Sequence, residues 1–175
     1  RLRLNSAKLT AACFSPDGNT LASIEEDKRS IDLWKLQGEL HQLTGHESSL
    51  DVIGRREYRI RALAFSADGN YLASAGNDLT IRLWDIQRDD IQCTKVIRVP
   101  VPLSSLTFSP DSTLLAGGGG NGSVQVWNVS TRSDDATWTL AGNKGSIKSL
   151  MFLPDGKTLI SVGWTDCIVR FWSLG

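Results

Sequence analysis

The chain has 175 residues, 41% of them apolar and 22% charged, and its 19 basic side chains balance 19 acidic ones. That length buries a sizeable core without staples, and the composition excludes a disordered segment. The zero net charge argues against a dedicated nucleic-acid binder, whose affinity would rest on a basic excess. No apolar run reaches ~18–20 residues, so no membrane span is expected. The sequence opens on Arg1 with no signal-peptide pattern behind it, and so reads as a piece of a longer protein. Cys13, Cys93 and Cys167 lie far apart without zinc-binding spacing. They are expected to be buried, reduced thiols in a cytoplasmic fold.

Arg1-Leu2-Arg3-Leu4 alternates and is expected to be a strand. Then one pattern runs four times. The first copy is Ala12-Cys13-Phe14-Ser15-Pro16-Asp17-Gly18, Thr20-Leu21-Ala22-Ser23 and Ile31-Asp32-Leu33-Trp34-Lys35. The second is Ala64-Phe65-Ser66-Ala67-Asp68-Gly69, Tyr71-Leu72-Ala73-Ser74 and Ile81-Arg82-Leu83-Trp84-Asp85. The third is Thr107-Phe108-Ser109-Pro110-Asp111-Ser112, Thr113-Leu114-Leu115-Ala116 and Val124-Gln125-Val126-Trp127-Asn128. The fourth is Met151-Phe152-Leu153-Pro154-Asp155-Gly156, Thr158-Leu159-Ile160-Ser161 and Val169-Arg170-Phe171-Trp172-Ser173. From Phe to Trp the steps are 20, 19, 19 and 20 residues, and successive Trp residues lie 50, 43 and 45 apart.

Each copy reads as three short strands. The alternation of Ile60 to Phe65 suits the first. Ser-Pro-Asp-Gly is a turn: Pro sets φ, Asp bonds the backbone two residues on, and Gly takes the left-handed place. A weaker strand lies between copies, clearest at Cys93 to Val99. Such a small sheet has two apolar faces, so the copies must pack face to face around an axis.

These residues resemble the WD-repeat β-propeller family. The likeness rests on the Phe-Ser-Pro-Asp-Gly turns, on Ser74, on Asp78-x-Thr80-Ile81-Arg82-Leu83-Trp84-Asp85, and on Gly45-His46. It implies an all-β propeller with blades of four antiparallel strands. Counted outer strand first, the repeats cover about 1–36, 37–87, 88–130 and 131–175. Rings of this family have about seven blades, which makes four copies a partial propeller. The other arrangement is a ring of four blades closed by residues 1–5. A partial propeller would expose open edges able to associate.

The resemblance also implies a buried His–Ser–Asp–Trp network. The second copy supplies it as His46, Ser74, Asp78 and Trp84. An insertion of about ten residues separates His46 from its strand. The fourth copy offers Asn143, Ser161, Asp166 and Trp172, and the first and third depart further. A hydrolytic triad is not expected, since no Gly-x-Ser-x-Gly elbow appears. The run from Gly117 to Gly122 reads as a hairpin turn instead of a phosphate loop. No catalytic residue, cofactor or metal site is expected.

The family implication is a non-catalytic scaffold that docks protein partners on one rim. Candidates there are Arg55, Arg56, Tyr58 and Arg59 of the inserted segment, and Trp164 of the fourth copy, since Arg and aromatic residues anchor interfaces. The alternative is a sensor or autoinhibitory propeller of a larger bacterial signalling or nucleotide-switch protein. Neither a nucleic acid nor a membrane is expected as a partner.

Overall fold

The computed structural model describes residues 9–25, 29–36, 38–46, 59–131 and 133–175, with the backbone of 49–50 and 56–57. The expected strand at residues 1–4 lies outside them. Strands β1 (Leu9–Phe14), β2 (Thr20–Glu25), β3 (Ser30–Lys35) and β4 (Leu40–Thr44) form the first antiparallel sheet. Two short strands, β5 (Ser49–Leu50) and β6 (Arg56–Glu57), pair within the insertion. The second sheet is β7 (Ile60–Phe65), β8 (Tyr71–Gly76), β9 (Thr80–Asp85) and β10 (Gln92–Arg98). The third is β11 (Leu103–Phe108), β12 (Leu114–Gly119), β13 (Val124–Asn128) and β14 (Trp138–Leu140). The fourth is β15 (Ile147–Phe152), β16 (Thr158–Gly163) and β17 (Val169–Ser173), three strands among the described residues. Each repeat therefore straddles two sheets: β4 closes the first sheet, and the rest of its repeat opens the second.

The first strands β1, β7, β11 and β15 touch in succession, so the sheets fan out from them as an open arc. Each first strand carries a bulge against its second strand, at Leu9/Ala11, Ile60/Ala62, Leu103/Ser105 and Ile147/Ser149. A bulge adds twist, and the same bulge repeated gives every sheet the same twist.

One core fills each gap between sheets. Small residues on one sheet receive large ones from the next. Ala22 and Leu33 meet Leu72 and Trp84. Ala64, Ala73 and Leu83 meet Leu106, Phe108, Leu115 and Trp127. Ala116 and Val126 meet Leu150, Phe152 and Leu159. The two end faces have no such cover among the described residues. Phe14 is 64% exposed where Phe108 is 8%, and Phe171 on the far face is 67% exposed.

The Ser-x-Asp turns form as expected. Ser15, Ser66 and Ser109 each donate to the Asp two residues on at 2.5 Å, and that Asp accepts a backbone N–H two residues further. Each serine also accepts the N–H that opens the next strand, at 2.9 Å. Gly18, Gly69 and Gly156 take the left-handed place. In the third copy Ser112 takes it instead, at φ 60, a conformation that costs a non-glycine residue about 1 kcal/mol. Its hydroxyl accepts the backbone N–H of Asp68 in the neighbouring sheet at 3.0 Å.

Two expectations are corrected. Gly117 to Gly119 belong to strand β12, and the turn comprises only residues 120–123. The reason is space: a Cβ on Gly118 would sit 2.7 Å from the Cβ of Ile147 in the next sheet, and one on Gly119 would sit 2.7 Å from the Pro102 carbonyl. Cys167 is exposed, not buried, because it sits on the β16–β17 turn at φ 52. Cys13 and Cys93 are partly buried, and burial pushes the Cys13 thiol up to about 12.

Candidate functional site

The upper rim of the arc carries the turns from second to third strands and the connections between sheets. Its turns have a local cause. Asp78, Asn121 and Asp166 each accept the N–H two residues on, at 3.2, 3.1 and 3.3 Å. That Asx bond closes the turn over one left-handed residue. Leu79, Gly122 and Cys167 fill that place.

Beneath the second-sheet turn lies the relay. The Trp84 indole N–H donates to Ser74 Oγ at 2.9 Å. Ser74 Oγ lies 2.7 Å from His46 Nε2, and His46 Nδ1 lies 2.9 Å from Asp78 Oδ2. An indole N–H only donates, so Ser74 accepts it and gives its own proton to Nε2. The remaining ring proton then sits on Nδ1 and donates to the carboxylate. Thr80 Oγ1 adds a bond to Asp78 Oδ1 at 2.8 Å. The Asp78-x-Thr80 run held the signal for that fifth member. Ser74 has no exposed surface and His46 and Asp78 side chains are 4% and 5% exposed. The relay ties the strand ends of the sheet to its connection.

The fourth sheet builds a variant. Trp172 Nε1 donates to Ser161 Oγ at 2.8 Å, and Ser161 Oγ donates to Asn143 Oδ1 at 3.1 Å. Asp166 turns elsewhere, accepting Lys144 N–H at 3.0 Å and pairing with Arg170 at 2.8 Å. Asn143 Nδ2 donates to the Gly122 carbonyl of the third sheet at 3.2 Å, which joins two turns of the rim. Among the described residues the first sheet keeps Trp34 Nε1 to Ser23 Oγ, at 3.3 Å. In the third sheet Gly117 stands where the serine would be, against Leu103 and Trp127.

Above these relays the rim presents its surface. Trp164 opens the β16–β17 turn, is 61% exposed, and has the Lys148 ammonium 4.7 Å from its ring centroid. Nothing in the strand pattern around Lys148 pointed to that pairing. Arg59 is exposed where the insertion meets β7, and Arg56 lies in β6. Arg55 and Tyr58 lie outside the described residues. Among the described residues no group of His, Cys, Asp or Glu is placed to hold a metal ion, and no helix is long and apolar enough to cross a membrane.

Successive twisted sheets fanned about their first strands, the second and fourth tied at one rim by a buried relay, define a β-propeller repeat protein, here an open arc. The chain belongs to the WD40 family: the WD domain, G-beta repeat model matches residues 37–85, 91–128 and 135–173. It is 25% identical over 167 residues to the COMPASS component SWD3 of Saccharomyces cerevisiae, across 91% of this chain and 49% of that protein. It is 39% identical over 70 residues to a U3 snoRNP-associated protein-like YAOH of Oryza sativa subsp. japonica, across 39% of this chain and 13% of that protein. Among solved structures it is similar to U3-55K, at a TM-score of 0.80 and 26% identity, over 98% of this chain and 50% of that one. The chain thus spans half or less of these relatives. WD40 proteins are as a family protein-interaction scaffolds.

Proposed function

We propose that this chain is a non-catalytic scaffold that docks a protein partner on its upper rim. The observation that carries the reading is Trp164, a large aromatic ring left 61% exposed on a turn tied down by backbone bonds. Aromatic and arginine side chains dominate interface energetics, and Arg59 stands exposed on the same rim. The serine of the relay is closed to solvent, which supports a binding role over an enzymatic one. The even charge balance supports a protein partner over a nucleic acid. Relatives named for a complex, the COMPASS component and the U3 snoRNP-associated protein, support assembly as the common theme.

Trp164→Ala should weaken partner binding at least tenfold, the signature of a hot spot, with an unchanged unfolding midpoint. Affinity capture by the full chain followed by mass spectrometry identifies the partner, and titration with the purified partner measures the loss. Replacing residues 47–59 by a short turn is the second arm. Full retention of binding by both variants would reject the rim.

A further inference from the structure

The lower rim, opposite the turns from second to third strands, carries a groove of about 810 Å³ between the second and third sheets. Its floor is apolar, made by Tyr71, Leu83, Val96, Phe108 and Val129. Its walls carry Asp68, Asp111 and Asp134, with Lys95 as the one cation among the described lining residues. Both ends of that charge account are fixed by geometry. The Lys95 ammonium donates to the carbonyls of Thr131 and Ser133 at 2.8 Å each, so two of its three protons are committed to the loop above the groove. Asp111 receives its bonds from Ser109 and Thr113 on Oδ1 alone, which leaves Oδ2 without a partner among the described residues. Hydrogen bonds hold the Asp111 carboxyl below the usual aspartate value, the Ser109 hydroxyl foremost. Burial pushes Asp68 up, but bonds from Ser66, Asn70 and Ser112 more than offset it. Both are therefore anionic at neutral pH.

Two features build the groove, and neither belongs to the repeat. The β13–β14 connection, residues 129–137, is longer than the matching connections at 36–39 and 86–91, and Lys95 pins it over the opening. Ser112 replaces the turn glycine of the other three copies, and its hydroxyl bonds Asp68 N across the gap. The two sheets are thus clamped at the floor and bridged at the roof, with an acidic, apolar-floored slot between.

We propose that this groove is a second docking site, independent of the upper rim, for a peptide segment of a partner protein that presents an apolar or aromatic side chain next to arginine or lysine. The apolar side chain seats on Tyr71 and Phe108, and the cation meets the carboxylates of Asp111 and Asp134.

A phage-displayed library of random dodecapeptides, panned on the full chain and counter-selected on Val96→Trp, tests it. Val96 is 38% exposed on β10, so the bulky ring fills the groove without entering the core. Enriched sequences should pair an apolar residue with a neighbouring arginine or lysine. As synthetic peptides they should bind in fluorescence polarisation, lose binding on Val96→Trp, and weaken about fivefold on Asp134→Lys or in raised salt. Asp134 lies on an exposed loop, so that variant keeps the fold, and equal unfolding midpoints verify it. Failure to enrich any groove-dependent sequence overturns the proposal. So does enrichment of sequences without a cation, or binding that Val96→Trp leaves intact, as capture at an end face or by a second copy would. Trp164→Ala should leave this binding unchanged, which separates the outcome from that of the upper rim.

Discussion

The relay in the second sheet concentrates several buried polar atoms at one point, and its stability contribution follows from what each truncation strands. Removing the Ser74 hydroxyl leaves the Trp84 N–H and His46 Nε2 without the atom that joins them. Both side chains are buried, so Ser74→Ala should cost about 2–3 kcal/mol. Ser161→Ala should cost about 1 kcal/mol, because Trp172 is only partly buried and its N–H is nearer to water. Denaturant unfolding of the two variants checks the order. The turn aspartates give a pH signature. Asp17, Asp68, Asp111, Asp155 and Asp166 are all lowered, by hydrogen bonds that favour the anion. A carboxyl depressed in the fold binds fewer protons there than in the unfolded chain. Its stabilisation is therefore complete above the ordinary aspartate value and is lost as the pH falls through the folded one. The unfolding midpoint should drop below about pH 4, and Asp17→Asn with Asp111→Asn should flatten that acid limb.

At the scale of the strand and turn, glycine has two distinct jobs in this chain, and substitution separates them. Gly118 lies in β12 where a Cβ would overlap Ile147 of the next sheet at 2.7 Å. Gly118→Ala should push the third and fourth sheets apart and cost about 2 kcal/mol. Gly120, two residues on, has open space around a Cβ and no left-handed φ. Gly120→Ala should be neutral or stabilise by about 0.5 kcal/mol through the unfolded state. Differential scanning calorimetry of both reads the contrast. The same pair shows what sequence could and could not reveal. The strands of the four copies were legible because Phe and Trp recur at fixed spacing and a Ser-Asp-Gly turn sits between them. The run at Gly117 reads as turn in the sequence, because composition alone cannot say whether a missing side chain serves a left-handed φ or a close approach. Here the approaching atom belongs to Ile147, 29 residues away along the chain and set by sheet-on-sheet packing. Cys167 is exposed for a related reason: its turn needs one left-handed residue, and the second and third sheets fill that place with Leu79 and Gly122. Of the rim candidates, the exposed Trp164 was legible as a tryptophan outside the repeat, whereas its Lys148 partner depends on how β15 meets the turn.

The whole arc has unlike ends, and that asymmetry makes a specific prediction for the 175-residue chain in solution. The leading face presents Phe14, Leu21 and Trp34, the positions that Phe108, Leu115 and Trp127 occupy when they bury against a preceding sheet. The trailing face presents Met151, Ile160 and Phe171, which lie side by side across β15, β16 and β17. Those are the positions of Ala64, Ala73 and Leu83, which receive such a face. A leading face thus fits a trailing face in the manner of the three internal interfaces, and two leading faces do not fit each other. The contact is heterologous, so association runs head to tail. Each exposed Phe contributes about 2–3 kcal/mol when buried, so a charge at either site removes most of the driving force. Sedimentation velocity should show concentration-dependent association of the unaltered chain. Phe14→Asp alone and Phe171→Asp alone should each be monomeric, since each lacks one of the two faces. Mixed in equal amounts they should form a heterodimer and nothing larger: the first keeps a trailing face, the second a leading face, and their single interface uses both. Association of either variant by itself would show that like faces pair, and would remove the head-to-tail account.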